Sequence, residues 1–196
     1  MYAMMVNVQQ QKVVVIGGGK IAYRRVRSLL AEQADITIIS LSLHEKLHEM
    51  WLEGCITWHQ RDFQKEDVLD AFIVIAATND GAVNAEVVRS CSPTQLVQRV
   101  DDAKNSRFHV PATVHSGDLT LAISTGGASP KLAKRIKQEL SERYHEYGDY
   151  IDFLKQVRKS VLENNQSEEL LEECLHPSYV HSKDARDELM KKIEAM

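Results

Sequence analysis

The chain has 196 residues, of which 43% are hydrophobic and 27% charged, and a net charge of -4. That balance is the profile of an ordinary soluble protein with one sizeable core plus a smaller appendage. No apolar run approaches the ~20 residues of a membrane span, and MYAMMVNVQQQK lacks the basic start, apolar core and cleavage site of a signal peptide, so a cytoplasmic protein with no membrane partner is expected.

In chain order, KVVVIGGGKIAYRRVRSLLAEQADITIIS predicts strand, glycine turn, helix, strand. VVVI is a continuous apolar run of the kind found in a parallel strand covered on both faces. Ile21, Ala22, Val26, Leu29 and Leu30 then recur at helical spacing, and ITII supplies a second buried strand. LSLHEKLHEMWLEG follows as a helix with Leu43, Leu47, Met50 and Trp51 on one face and Gly54 to end it.

Inside that helix HEKLH matches the H-E-x-x-H pattern that chelates zinc when both histidines share a helix face. The apolar residues already claim the inward face, which sends His44 and His48 mainly toward solvent, and WLEG follows in place of a third-ligand extension. The motif therefore reads as a solvated helix face rather than a peptidase. Cys55, Cys91 and Cys174 are far apart, without C-x-x-C spacing, and read as reduced thiols.

CITWHQ, FIVIAA and QLVQRV are further strands, and NDGAVNAEVVRSC is a helix between the last two. Strands alternating with helices predict a doubly wound parallel sheet of Rossmann type. At Pro111 the pattern changes: ATVHSGDLTLAIS predicts two strands turning around Ser116, Gly117 and Asp118. A helix then runs from the N-cap Ser129 and Pro130 to about Tyr147, and YIDFLKQVRKSVLEN, SEELLEECL and KDARDELMKKIEAM form a helical tail.

Gly17, Gly19 and Ala22 make the G-x-G-x-x-A form of the dinucleotide fingerprint, directly after a strand and opening a helix. The first glycine permits the tight turn, the second lets the backbone approach a pyrophosphate, and the helix N-terminus supplies amide hydrogens. Ser40 stands where an acid would normally bind the adenosine ribose, and no Arg or Lys lies immediately beyond it, which mildly favours NAD over NADP. Thr78, Asn79 and Asp80 end a strand at the carboxyl edge, where ligands bind, although Asn79 or Asp80 also suits a helix N-cap.

Lys and Arg outnumber Asp and Glu 7 to 3 over residues 99–137, whereas acids outnumber bases 14 to 8 over 138–196. A local basic patch on an acidic chain suits a small polyanion rather than nucleic acid. Ser124, Thr125 and Gly126 lead with Gly127 into a helix carrying Lys131, Lys134, Arg135 and Lys137, a ready receptor for carboxylate or phosphate. Asp101 and Asp102 follow the last strand of the sheet, where an acid beside a nicotinamide can act as general base or orient a substrate.

VVVIGGGKIAYRR, AATND, LVQRVDDAKNSRFHVPA and LTLAISTGGASPKLAKRIKQEL together resemble the precorrin-2 dehydrogenase family, which includes the dehydrogenase and chelatase part of siroheme synthases. The resemblance covers roughly residues 5 to 145, and S-T-G-G-A-S-P is its most specific stretch. It implies NAD-dependent oxidation of precorrin-2, a polycarboxylate, to sirohydrochlorin by a homodimer whose middle unit forms the subunit interface. By position it implies that Asp101 is catalytic and that Lys20, Ile21, Leu41, Ser42 and Thr78 to Asp80 contact the cofactor.

VQRVDD departs from the family's V-N-V-V-D, so Gln98 and Arg99 are unexpected, and the doubled acid leaves the base at Asp101 or Asp102. The expected layout is an NAD-binding Rossmann domain over 1–112, a small strand-plus-helix dimerisation unit over 113–147 and a C-terminal helical domain over 148–196. No resident metal is expected. Added ferrochelatase activity, or a non-catalytic nucleotide-sensing module, are the alternatives.

Overall fold

The computed structural model describes residues 2–163 and 169–194. It divides into two compact units, Met1–Val110 and Pro111–Met196. The first contains β1 (Lys12–Ile16), α1 (Lys20–Ala31), β2 (Asp35–Ile39), α2 (Glu45–Leu52), β3 (Thr57–His59), β4 (Ile73–Ala76), α3 (Gly81–Ser90) and β5 (Leu96–Arg99). The five strands pair in parallel in the order β3-β2-β1-β4-β5. This is the expected α/β sheet, and its strand order reverses beside β1, the position where such folds open a ligand crevice.

The unbroken apolar run of β1 is explained by its two faces. Val13 and Val15 join Ala22 and Val26 of α1 in one core, while Val14 and Ile16 join Val87 of α3 in the other. Ile16 pairs with both Ile39 and Ala76, so three strand ends come level at the carboxyl edge.

α2 is shorter than the sequence suggests because His44 caps it instead of entering it. The His44 Nδ1 accepts from the Lys46 amide at 3.3 Å, and the ring stacks on Tyr23 with centroids 5.4 Å apart. His44 is half-buried, which corrects the expectation that it faces solvent, whereas His48 is exposed and lies against Trp51 and Trp58. Trp51 is itself 37% exposed, so Leu47, Leu43 and Met50 carry the inward face. Gly54 ends the helix as expected: at φ +73 it donates to the Trp51 carbonyl, and Cys55 donates to that of Met50.

Two 3-10 turns, Lys65–Val68 and Ala103–Asn105, were not anticipated. The first is tied to β5 by Gln95, which is 7% exposed. Its Nε2 donates to the carbonyls of Val68 and Ala71, and its Oε1 accepts from the Ser92 amide at 2.7 Å. Gln95→Leu strands the buried Ala71 carbonyl and the part-buried Ser92 amide and leaves the Val68 carbonyl with the Ala71 amide, at roughly 1–3 kcal/mol for each group left unpaired before relaxation. A net loss of about 3 kcal/mol is expected, read as a lower urea midpoint with an unchanged slope.

The second unit contains β6 (Ala112–Ser116), β7 (Leu119–Ile123), α4 (Pro130–Arg143), α5 (Tyr147–Glu163), α6 (Glu169–Glu173), α7 (Ser178–His181) and α8 (Lys183–Glu194). β6 and β7 are antiparallel, with Ser116 opposite Leu119 across the two-residue turn Gly117–Asp118. Ser129 caps α4 by accepting from the Leu132 amide at 3.2 Å, and Pro130 opens the helix, both as expected.

α4 ends at Arg143 rather than near Tyr147, and Gly148 lies in the first turn of α5 instead of before it. The reason is a tertiary bond: Ser116 Oγ donates to the His145 carbonyl at 2.9 Å and accepts from the Gly148 amide at 3.0 Å, pinning the corner to the hairpin. Tyr150, Phe153, Val157 and Val161 of α5 then pack on Cys174, Val180, Leu189 and Ile193. α7 was not anticipated, and the predicted helical positions 164, 167, 168, 195 and 196 lie outside the described residues.

Candidate functional site

The three level strand ends of the first unit open a cleft of about 640 Å³. Gly17 and Gly19 border it, together with Leu41 and Ser42 beyond β2 and Thr78, Asn79 and Asp80 beyond β4. Lys20 and Ile21 occupy the first turn of α1 and are exposed, but they are not among the residues lining the cleft.

The glycine turn has the shape of a dinucleotide cradle. Gly17 adopts φ +110, and a Cβ there would stand 2.5 Å from the Ala77 carbonyl oxygen. Gly18, which the fingerprint leaves unspecified, is tighter still: its Cβ would meet the Ser42 carbonyl oxygen at 2.1 Å. At Gly19 a Cβ would meet nothing within 4 Å, so the open side of the turn is there, at the N-cap of α1. No side chain caps α1, which leaves its first amides and positive end directed at a ligand. These residues fit a dinucleotide pyrophosphate.

Ser40, which stands at the expected ribose position, lines the cleft, and Leu43, His44, Arg61, Asp62 and Phe63 are lining residues that escaped the sequence reading. Ser40 Oγ donates to the Ser42 carbonyl at 2.9 Å, and its backbone carbonyl accepts from Trp58 Nε1 at 3.0 Å, so this serine shapes the loop after β2. Arg61 brings a cation to the cleft from the loop after β3, which a search immediately beyond Ser40 does not reach. It is committed to Asp67 by two bonds, Nη1 to Oδ2 at 2.8 Å and Nη2 to Oδ1 at 2.5 Å. Burial pushes the Asp67 carboxyl up, but the Arg61 bonds and the Gln64 amide outweigh it and hold the group below its usual range.

Asp80 fulfils the N-cap reading, its Oδ1 accepting from the amides of Ala82 at 2.7 Å and Val83 at 3.4 Å. Thr78 is bound to Asn84, which is fully buried. Asn84 Oδ1 accepts from the Thr78 amide at 3.1 Å and hydroxyl at 2.8 Å, while its Nδ2 donates to the Thr78 carbonyl at 3.1 Å and to Asp101 Oδ1 at 2.9 Å. One asparagine thereby ties the cleft to the acid beyond β5. A polar residue on the inward side of an otherwise apolar helix was the available sequence signal.

The two aspartates have different surroundings. Asp102 caps the second 3-10 turn, accepting from the Lys104 and Asn105 amides and, at 2.6 Å, from Asn105 Nδ2. Asp101 accepts from Asn84 and from Arg99, whose Nε reaches Oδ1 at 3.0 Å and Nη2 reaches Oδ2 at 2.8 Å. The Arg99 hydrogen bonds are the largest influence on the Asp101 carboxyl and hold it below the usual carboxylate range. Asp102 is held low as well, chiefly by the Asn105 amide group.

In the second unit Ser124 Oγ accepts from the Gly126 amide at 3.2 Å, and Thr125 Oγ1 accepts from the Ser129 amide at 3.2 Å. Gly126 and Gly127 have φ +61 and +86, with open space where each Cβ would be. Lys131, Lys134 and Arg135 are exposed on α4, and Arg135 Nε donates to Glu139 at 2.9 Å. This turn and basic face can receive anionic groups of a ligand.

Residues 4–112 match a family model described as putative NAD(P)-binding, residues 116–143 one described as the central part of a sirohaem biosynthesis protein, and residues 147–189 the SirC C-terminal domain. The chain is 36% identical over 199 residues to a precorrin-2 dehydrogenase of Priestia megaterium, covering 99% of this chain and 98% of the relative. It is 40% identical over 146 residues to that of Bacillus subtilis (strain 168), covering 74% and 89%. The solved structure of SirC, precorrin-2 dehydrogenase, superposes over the whole of both chains with a TM-score of 0.89 at 35% identity. No helix among the described residues is long and apolar enough to cross a membrane.

Proposed function

The chain belongs to the precorrin-2 dehydrogenase family, and from that premise we propose that it oxidises precorrin-2 to sirohydrochlorin with NAD as hydride acceptor and Asp101 as proton acceptor. The observation that carries the site assignment is the Asn84 bridge, which couples the Thr78 edge of the nucleotide cleft to Asp101 through two bonds of 2.8 and 2.9 Å. A nicotinamide cofactor held by these residues would supply the hydride acceptor. The chain's residues bind and orient: the amides at Gly19, Lys20 and Ile21 receive the pyrophosphate, while Leu41 and Ser42 flank the adenosine.

Asp101 takes the proton that leaves the substrate with the hydride, so the carbon skeleton loses one hydride and one proton. Its partner Asp102 is occupied by the 3-10 turn, which supports Asp101 as the base. NAD in preference to NADP is supported by Arg61, whose guanidinium is already paired with Asp67, and by the exposed Asp62 carboxylate in the same cleft, which repels a 2'-phosphate.

Ser124, Thr125 and Gly126, with Lys131, Lys134 and Arg135, receive substrate carboxylates. A homodimer built through residues 113–147 is supported by α4, which buries none of its residues, and by Leu132, 49% exposed on it. Mixing the protein, NAD and precorrin-2 is expected to produce NADH and sirohydrochlorin, with NADP much less effective. Folded protein that yields no NADH refutes the activity, and sedimentation at the mass of a single 22.2 kDa chain refutes the dimer.

A further inference from the structure

Arg99 is one of two residues that depart from the family's pattern, and its guanidinium is clamped beside the proposed base. Its side chain is 17% exposed. Nε and Nη2 grip the two oxygens of Asp101 side-on, Nη2 also donates to the Gly81 carbonyl at 3.2 Å, and Nη1 lies 3.6 Å from Asp102 Oδ2. The backbone is held too: the Arg99 amide donates to Ser106 Oγ at 2.9 Å, and that hydroxyl donates to the Arg99 carbonyl at 3.1 Å. An arginine fixed in this way presents a planar fork that a carboxylate can meet in only one orientation.

We propose that Arg99 is a positioning residue for the reaction, which holds Asp101 as an anion in one orientation. The inference rests on the reading of Asp101 as base and adds how that base is kept ready. A carboxylate free to rotate would spend most of its time misdirected, whereas the Arg99 fork and the Asn84 amide fix both of its oxygens.

The charged groups facing Asp101 are Arg99 on β5 and, through Arg99, Asp102 on the following loop. α3 faces it with the neutral Asn84 amide and the Gly81 carbonyl that Arg99 holds. Arg99 is therefore the group whose removal changes the protonation of Asp101. The sign follows: a neighbouring cation favours the carboxylate, so the base stays competent to lower pH with Arg99 than without it.

In the full-length protein, Arg99→Met is expected to move the acid limb of kcat/KM upward by about one pH unit or more and to lower kcat about tenfold or more. Arg99→Lys keeps the cation but not the fork, so its acid limb stays close to the parent's while kcat still falls. The Asp101 carboxyl, followed by carbon-detected NMR, is expected to titrate below the usual carboxylate range in the parent and within it in Arg99→Met. An Asp101 carboxyl that titrates in the ordinary range in the parent, or an acid limb that Arg99→Met leaves in place, overturns the proposal. Should Asp101→Asn retain turnover, the assignment of the base fails, while the NMR titration still reads the clamp independently.

Discussion

Asp101→Asn is expected to lower kcat by about 10²–10⁴-fold while the protein still binds NAD with the parent's affinity. The substitution keeps the size of the side chain and an oxygen for the Asn84 and Arg99 donors, but removes the group that accepts the substrate's proton. Asp101 is not among the residues lining the nucleotide cleft, which is why cofactor affinity is expected to survive. Fluorescence titration with NAD beside single-turnover kinetics separates the two effects. Asp102→Asn provides the contrast, because Asp102 Oδ1 accepts from the Lys104 and Asn105 amides of a turn. It keeps an oxygen for those amides, so it is expected to leave the thermal midpoint nearly unchanged and to change turnover only a few-fold. The reverse pattern would move the base one residue along the chain.

The second large effect distinguishes neighbouring glycines that look equivalent in GGGK. Gly18→Ala forces a Cβ to 2.1 Å from the Ser42 backbone oxygen and 2.8 Å from Ser40 Oγ, where neither the β2 loop nor the turn has room. It is expected to destabilise the first unit by about 3 kcal/mol or more, read as a lower thermal midpoint without any ligand. Gly19→Ala meets no atom within 4 Å and adopts φ -85, which alanine tolerates, so the thermal midpoint is expected to stay within experimental error. Its methyl group instead enters the space in front of the uncapped α1 amides. NAD affinity is expected to fall about tenfold or more, because the pyrophosphate is held off the helix end. Unaltered NAD affinity in Gly19→Ala would show that the cofactor does not lie against that backbone.

The parts of the fold that were legible in the sequence are those decided by local chemistry. Apolar runs and helical spacing located every strand of the parallel sheet and α1, α3 and α5, because periodicity reports which faces are covered. Ser129, Pro130 and Gly54 marked helix ends through bonds spanning only a few residues. Two of the misses share one cause, a partner distant in sequence. α4 stops at Arg143 because Ser116 holds the next corner, and His44 caps α2 while stacked on Tyr23, so HEKLH never presents two histidines on one helical face.

The candidate site divides in the same way. The sequence alone determined that a strand, a glycine turn and a helix N-terminus would build a dinucleotide cradle, since a turn of that tightness requires glycine and an uncapped helix attracts an anion. It also identified an aspartate beyond β5 as a candidate base, without choosing between two. Only the tertiary structure decided that Asn84 joins Thr78 to Asp101, that Arg61 in the cleft is already paired with Asp67, and that Arg99 grips Asp101 while Asp102 serves a turn. Hydrogen bonds act over about 3 Å in space irrespective of separation along the chain, so the register of β4 against β5 and the packing of α3 bring Asn84 between Thr78 and Asp101.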